Sequence, residues 1–159
     1  MEANKRTVTC GSLRESDAGN TVTLNGWVHR IRDHGGVYFV NLRDRYGITQ
    51  VVVDESASEA LRERAGNLRM EFCVAATGTV QKRPDEMKND EMATGAIEVV
   101  ASDIVILSTC EPLPFMIDET SDARDDLRLK YRYLDLRSFS MQRKIRLRHD
   151  VVRAVREYM

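Results

Sequence analysis

Three residues of unlike chemistry, Phe39, Gln50 and Glu98, stand on strand-like runs where alternation turns them away from the apolar side chains. In the run Val37 to Arg43, Tyr38, Val40 and Leu42 share one face and make the better core. The other face then holds Val37, Phe39, Asn41 and Arg43. An aromatic ring on an open strand face beside arginine can stack an unpaired base, a contact worth about 1–3 kcal/mol. Alternation leaves a second placement equally open, with Phe39 packed under a loop or inside. In Ile48 to Val53 the inward set is Thr49, Val51 and Val53, which turns Gln50 outward. Its amide both donates and accepts, as a base edge requires; an ordinary exposed strand glutamine is the plain alternative. In Ile97 to Leu107, Ile97, Val99 and Ala101 point one way and Glu98 the other. Phosphates repel a carboxylate, so Glu98 makes sense at such a face only as an acceptor from a base amino or imino group, and otherwise as a solvated residue.

Positive charge gathers around these three. Arg30 and Arg32 share a face of the first strand and suit phosphate or base contact, although a bulge or bend expected at Gly26 leaves their facing open. Arg43 and Arg45 join them in the first two strands and the turn beyond, and Arg83 opens a polar loop to which Lys82 and Lys88 add charge. No catalytic constellation accompanies them: there is no P-loop, GxGxxG, HExxH or nucleophile elbow. His29, His34 and His149 lack a partner pattern and read as surface or packing residues. Asp125-Asp126, beside Arg124 and Arg128, reads as an ion-pair surface and not a metal site.

The elements that must position these groups are strands. Thr21 to Arg32 is rich in Val and Thr and alternates, and Asp33 to Gly36 is a turn signal. Val37 to Arg43 and Ile48 to Val53 form a hairpin across Arg45-Tyr46-Gly47. Ser56 to Leu68 has helix-forming composition with Ser56 or Ser58 as its N-cap. Phe72 to Gln81 and Ile97 to Leu107 supply the last two strands, separated by a long loop from Arg83 to Gly95. The expected fold class is mainly β: a five-stranded OB-fold barrel with a helix between strands 3 and 4. The expected domains are 1–110 for the barrel, 111–137 for a hinge or linker, and 138–159 for the first helix of a further domain.

Composition fits a soluble globular protein, with 42% hydrophobic and 31% charged residues. No apolar run approaches the roughly 20 residues of a membrane-spanning helix, and nothing behind Met1 to Arg6 resembles a signal peptide. Cys10, Cys73 and Cys110 are widely spaced and odd in number, which points to a reducing cytoplasm. Net charge is −1, but Arg124 to Met159 carries 11 Lys/Arg against 5 Asp/Glu, so a basic tail follows an acidic front. The stretch Glu111 to Phe115, with two prolines, reads as a stiff connector, and Thr120 to Asp126 as polar and exposed. From Phe139 onward, Met141, Ile145, Val152, Val155 and Met159 fall near one helical face that lacks a partner. That pattern reaches Met159 without a stop signal, so the chain is expected to be the front piece of a longer protein.

The segments Gly26 to Gly36, Phe39 to Val52 and Met92 to Val99 resemble the anticodon-binding domain of bacterial-type aspartyl-tRNA synthetases. Leu127 to Arg137 resembles the hallmark joining that domain to a class II catalytic core, and the likeness runs from Cys10 to Met159. The Gly-Trp-Val stretch alone would fit asparaginyl- and lysyl-type enzymes as well, and a stand-alone single-strand-binding module is a further alternative.

The resemblance implies that Arg30, Arg32, Phe39, Gln50, Arg83 and Glu98 grip the anticodon loop of tRNA(Asp). Phe39 would stack on the middle base and Gln50 would read it. Glu98 would read the first, a guanine or its modified form, and Arg83 with the following loop would approach the third. His34, Glu86 and Met87 are the implied positions of tRNA discrimination. The Asp-His-Gly-Gly turn is similar to that of members accepting tRNA(Asn) as a second partner. Met87 stands where some members carry an asparagine, and Arg137-Ser138 where many have paired arginines. For the full-length protein the resemblance implies a cytoplasmic homodimeric ligase using ATP and Mg2+ to activate aspartate. It implies no catalytic residue, metal or cofactor site in this chain.

Overall fold

The computed structural model describes residues 4–117 and 122–159. Strands β1 (Thr21–His34), β2 (Val37–Arg43), β3 (Ile48–Val53), β4 (Cys73–Lys82) and β5 (Ile97–Ser108) close into a barrel in the order β1-β2-β3-β5-β4. β4 returns to β1, and every pairing is antiparallel except β3 with β5. Helix α1 (Glu59–Gly66) lies between β3 and β4. This is the expected mainly-β OB-fold barrel.

Local chemistry accounts for the turns. β1 runs two residues further than expected because Gly35 and Gly36 alone make the turn, at φ 65 and 93. Two successive positive φ values give the tight hairpin whose twist matches the flanking strands. His34 pairs with Val37 across it. At the β2–β3 turn the Asp44 carboxylate accepts from the N–H groups of Tyr46 and Gly47, and from Cys10 N. Of the two candidate caps, Ser58 starts α1, its Oγ accepting from Leu61 N at 3.3 Å.

The core fills from inward strand positions, among them Val40, Leu42, Val51, Val53, Ile97 and Val99. Thr49 also faces in, its hydroxyl donating to the Cys10 carbonyl. α1 closes one end by burying Leu61 and Ala65 with Leu68 beyond it; each buried leucine is worth about 1.5–3 kcal/mol. Burial, with the Asp44 carboxylate beside it, pushes the Cys10 thiol far above its ordinary range, so it packs as an inert apolar group.

Residues from Leu113 onward form a second unit. The segment expected as linker carries two short helices, α2 (Asp125–Lys130) and α3 (Arg132–Asp135). They fold around Asp135, which is buried and accepts from Arg128 Nε at 2.8 Å and Arg132 Nη1 at 2.6 Å. Arg124 pairs with Asp126 and Arg128 with Asp125, the ion-pair surface read from sequence. Among the described residues no cluster of three or more side chains could hold a metal. α4 (Phe139–Tyr158) is capped by Ser138 and fully buries none of its residues; of its apolar stripe Met141 is half-buried, while Ile145, Val152, Val155 and Met159 are exposed. No helix among the described residues is long and apolar enough to cross a membrane. Residues 120 and 121 of the polar stretch before α2, and residues 1–3 of the N-terminus, lie outside the described residues.

Candidate nucleic-acid interface

The outer face of β1, β2, β3 and β5 is laid out by register. Arg32 stands opposite Phe39, and Phe39 opposite Val52; one pair along, Arg30 stands opposite Asn41, and Asn41 opposite Gln50. Parallel pairing of Val51 with Val99 and Val52 with Val100 sets Gln50 beside Glu98. Of the bulge or bend expected at Gly26, the bulge falls instead at His29, where the β1–β2 register shifts between Val28 and Arg30. Gly26 keeps regular register opposite Val74 and serves close approach: a Cβ there would lie 2.5 Å from the Arg43 carbonyl oxygen.

Of the two placements open for Phe39, the structure has the outer one. Its half-buried ring has the Arg32 guanidinium carbon 6.0 Å from its centroid. The His34 imidazole meets it edge-on at 5.8 Å and 77°. Gln50 is not an ordinary exposed glutamine. It is only 6% exposed, and both ends of its amide are engaged. Oε1 accepts from Arg32 Nη2 at 3.3 Å, and Nε2 donates to Glu98 Oε2 at 3.1 Å. That same Glu98 oxygen lies 3.6 Å from Arg83 Nε, an ion-pair distance and not a hydrogen bond. The Arg83 side chain is 6% exposed, and its Nε and Nη2 have no hydrogen-bond acceptor among the described residues. Burial pulls its guanidinium below the ordinary arginine range; Glu98 opposes that shift and Arg32 adds to it.

Arg32, Phe39, Gln50, Arg83 and Glu98 therefore line one cleft of ≈ 400 Å³, with His34, Met87 and Asn89 around it. Arg30 is exposed on the same face one pair further along and does not line the cleft. Glu86 is exposed on a 3-10 turn (Asp85–Met87) and does not line it either. Arg43 departs from the sequence reading. It is 4% exposed and bonded to Glu71 and His29, at the other end of β2 from Phe39's neighbours. Arg45 leaves the cluster too, lying against Tyr46.

Asn89 was missed. The loop carrying it is pinned by Lys88, which reaches Glu15 at 3.1 Å and Asp85 at 2.8 Å, and by Asn89 N donating to Gly95 O at 3.1 Å. Lys88 and then Lys82 hold the Glu15 carboxyl below its ordinary range, while Asp85 and Glu15 hold Lys88 above its own. The one trace in sequence was that Met87 stands where some members of the resembling family carry an asparagine.

Aromatic, amide, carboxylate and guanidinium groups thus converge on one concave barrel face. Residues 22–107 match the family of OB-fold nucleic acid binding domains known as tRNA anti-codon. The chain belongs to that family. The whole chain is 61% identical to the aspartate–tRNA(Asp/Asn) ligase of Treponema denticola, over 27% of that protein's length. The chain spans about a quarter of the length of the curated relatives it matches. The asparaginyl-tRNA synthetase of Pyrococcus horikoshii, solved with asparaginyl-adenylate, superposes at TM-score 0.80 with 26% identity. That match covers 97% of this chain and 34% of the other. The aspartyl tRNA synthetase of Entamoeba histolytica superposes at 0.87 with 21% identity, over 99% of this chain and 38% of its own, and shows the shared fold.

Proposed function

We propose that this OB-fold domain binds the anticodon loop for an aspartate–tRNA ligase whose full length activates L-aspartate with ATP and Mg2+ and transfers it to tRNA(Asp) and tRNA(Asn). The observation that carries this is the Phe39 ring beside the Gln50–Glu98 pair in one cleft. A stacked base above Phe39 has an amide and a carboxylate within reach of its edge, and Arg83 offers donors that no described residue takes up. Arg30 and Arg32 supply phosphate contacts, and His34 with Met87 lines the rim where tRNAs differ. The name carried by the Treponema denticola relative supports the double tRNA range. The longer protein is a cytoplasmic homodimer, to which the apolar stripe of α4 contributes contact area. No residue of this chain takes part in aspartate activation, and residues 1–159 alone give no aspartate-dependent pyrophosphate exchange.

Binding of residues 1–159 to anticodon hairpins, followed by fluorescence anisotropy, tests this. A GUC hairpin is expected to outbind a scrambled loop by about tenfold or more, equivalent to ~1.4 kcal/mol, with a GUU hairpin close behind. Equal affinity for all three loops would make the domain a sequence-blind single-strand binder.

A further inference from the structure

β1 needs an irregularity to present its arginines. From Val22 to Val28 the inward positions alternate as Val22, Leu24, Gly26 and Val28, all buried, with Thr23 on the other face buried as well. Continued unbroken, that phase would send Arg30 and Arg32 inward and Ile31 outward. One extra residue reverses it. Val28 stands opposite Leu42 and Arg30 opposite Asn41, so His29 has no place in the ladder, and Ile31 packs against the core.

A buried ion pair holds this bulge. Arg43 Nη2 donates to both Glu71 oxygens, at 2.8 and 2.9 Å, and both side chains are almost fully buried. Arg43 Nη1 meets His29 Nδ1 at 2.9 Å. Arginine only donates, so Nδ1 accepts and carries no proton. Glu71 also grips the bulge through its backbone: its N–H donates to Val28 O at 2.7 Å, while Phe72 O accepts from Val28 N at 2.9 Å. To do so Glu71 adopts φ 65, a conformation a residue with a side chain takes only when its surroundings impose it. The bulged strand, the end of β2 and the turn before β4 thus meet at one guanidinium.

We propose that Arg43 and Glu71 are positioning residues for nucleic-acid recognition: their ion pair pins the bulge at His29 and so decides which way Arg30 and Arg32 face. The proposal rests on the cleft face binding an anticodon loop. Neither residue lines the cleft, so each acts through β1.

The test is Arg43→Met/Glu71→Leu, which removes both charges together, a change buried ion pairs often tolerate without loss of stability. The folded variant is expected to lose the NMR contacts Arg30–Asn41 and Arg32–Phe39. Its hairpin affinity should fall by about tenfold or more, with a flatter dependence on salt as phosphate contacts go. Deleting His29 supplies the rescue. Arg30 then follows Val28 in the correct phase with no bulge to hold, and the same double substitution should leave contacts and affinity as in the deletion alone. Should the double variant unfold, Glu71→Gln, which weakens the clasp but keeps one acceptor, is judged by the same outcomes.

A variant that retains His29 and still shows the Arg30–Asn41 contact overturns the proposal, whether or not hairpin binds. An equal loss of affinity in the deletion background overturns it too. If the unaltered protein fails to prefer the GUC hairpin while the variants shift register as described, the anticodon reading falls and the positioning of the arginines stands.

Discussion

Gln50 donates its Nε2 to Glu98 Oε2 across 3.1 Å, tying the two parallel strands β3 and β5 together on their outer face. Because Arg32 holds the other end of the amide, its orientation is fixed before any ligand arrives. Exchanging Gln50 for Glu would place two carboxylates in contact. Like charges raise the pKa of such a pair, so one of them keeps its proton further up the pH scale. As pH rises both ionise, repel each other and repel phosphate. Gln50→Glu should therefore bind the GUC hairpin more weakly as pH increases, while the unaltered domain varies little. Parallel pH profiles for the two proteins would rule this out.

Phe39→Ala removes the stacking surface between Arg32 and His34. Hairpin affinity should drop by about 1–3 kcal/mol, with the melting temperature of the free domain nearly unchanged because the ring is only half buried. Titration calorimetry of both proteins provides the measurement. An affinity equal to that of the unaltered domain would take Phe39 off the RNA face.

Arg30 is exposed, faces the same way as Arg32 and lies outside the cleft. It should act on phosphate, not on a base. Arg30→Ala is expected to weaken all hairpins alike and to reduce the slope of log K against log salt by roughly 0.7. A loss confined to one anticodon sequence would instead make it a base reader.

The loop bearing Met87 and Asn89 is tethered through Lys88 to Glu15. Glu15's carboxyl is lowered by folding, so its share of the tether is present above the ordinary glutamate range and fades as pH falls through its lower folded value. Lys88 is raised, so its share is present below the ordinary lysine range and fades as pH climbs through the raised value. Proteolysis within residues 83–95 should be slow across neutral pH, quicken at both extremes and quicken in high salt, since these groups are exposed. A Glu15→Gln protein cleaved no faster than the parent at neutral pH would dismiss the tether.

Much of this was legible before folding because a barrel face follows a period of two. Val40, Leu42, Val51 and Val99 declare the inside, and parity turns Gln50 and Glu98 to the other face; for Phe39 it left two placements open, which register against Arg32 and Val52 decides. Parity fails where a residue is surplus. Nothing in the string from Gly26 to Arg32 marks His29 as the extra one, because the groups that choose it, Arg43 and Glu71, lie on other elements. Arg43 looked like one more surface arginine for the same reason: its partner is 28 residues away. Asn89 was hidden because its position depends on an ion pair between Lys88 and the distant Glu15. The short helices α2 and α3 escaped notice because they depend on Asp135 accepting from two arginines, and a charge-rich stretch without apolar period signals no helix.

Burying the Arg83 guanidinium carries a cost. Two nitrogens of its guanidinium find no acceptor among the described residues, and a buried donor left unmet costs about 1–3 kcal/mol. Arg83→Met should melt at a higher temperature than the parent and yet hold the hairpin less tightly, as differential scanning calorimetry and anisotropy on the same samples can establish. The domain would then be least at ease when alone, and a base that accepts from Arg83 would stabilise the barrel as well as occupy it.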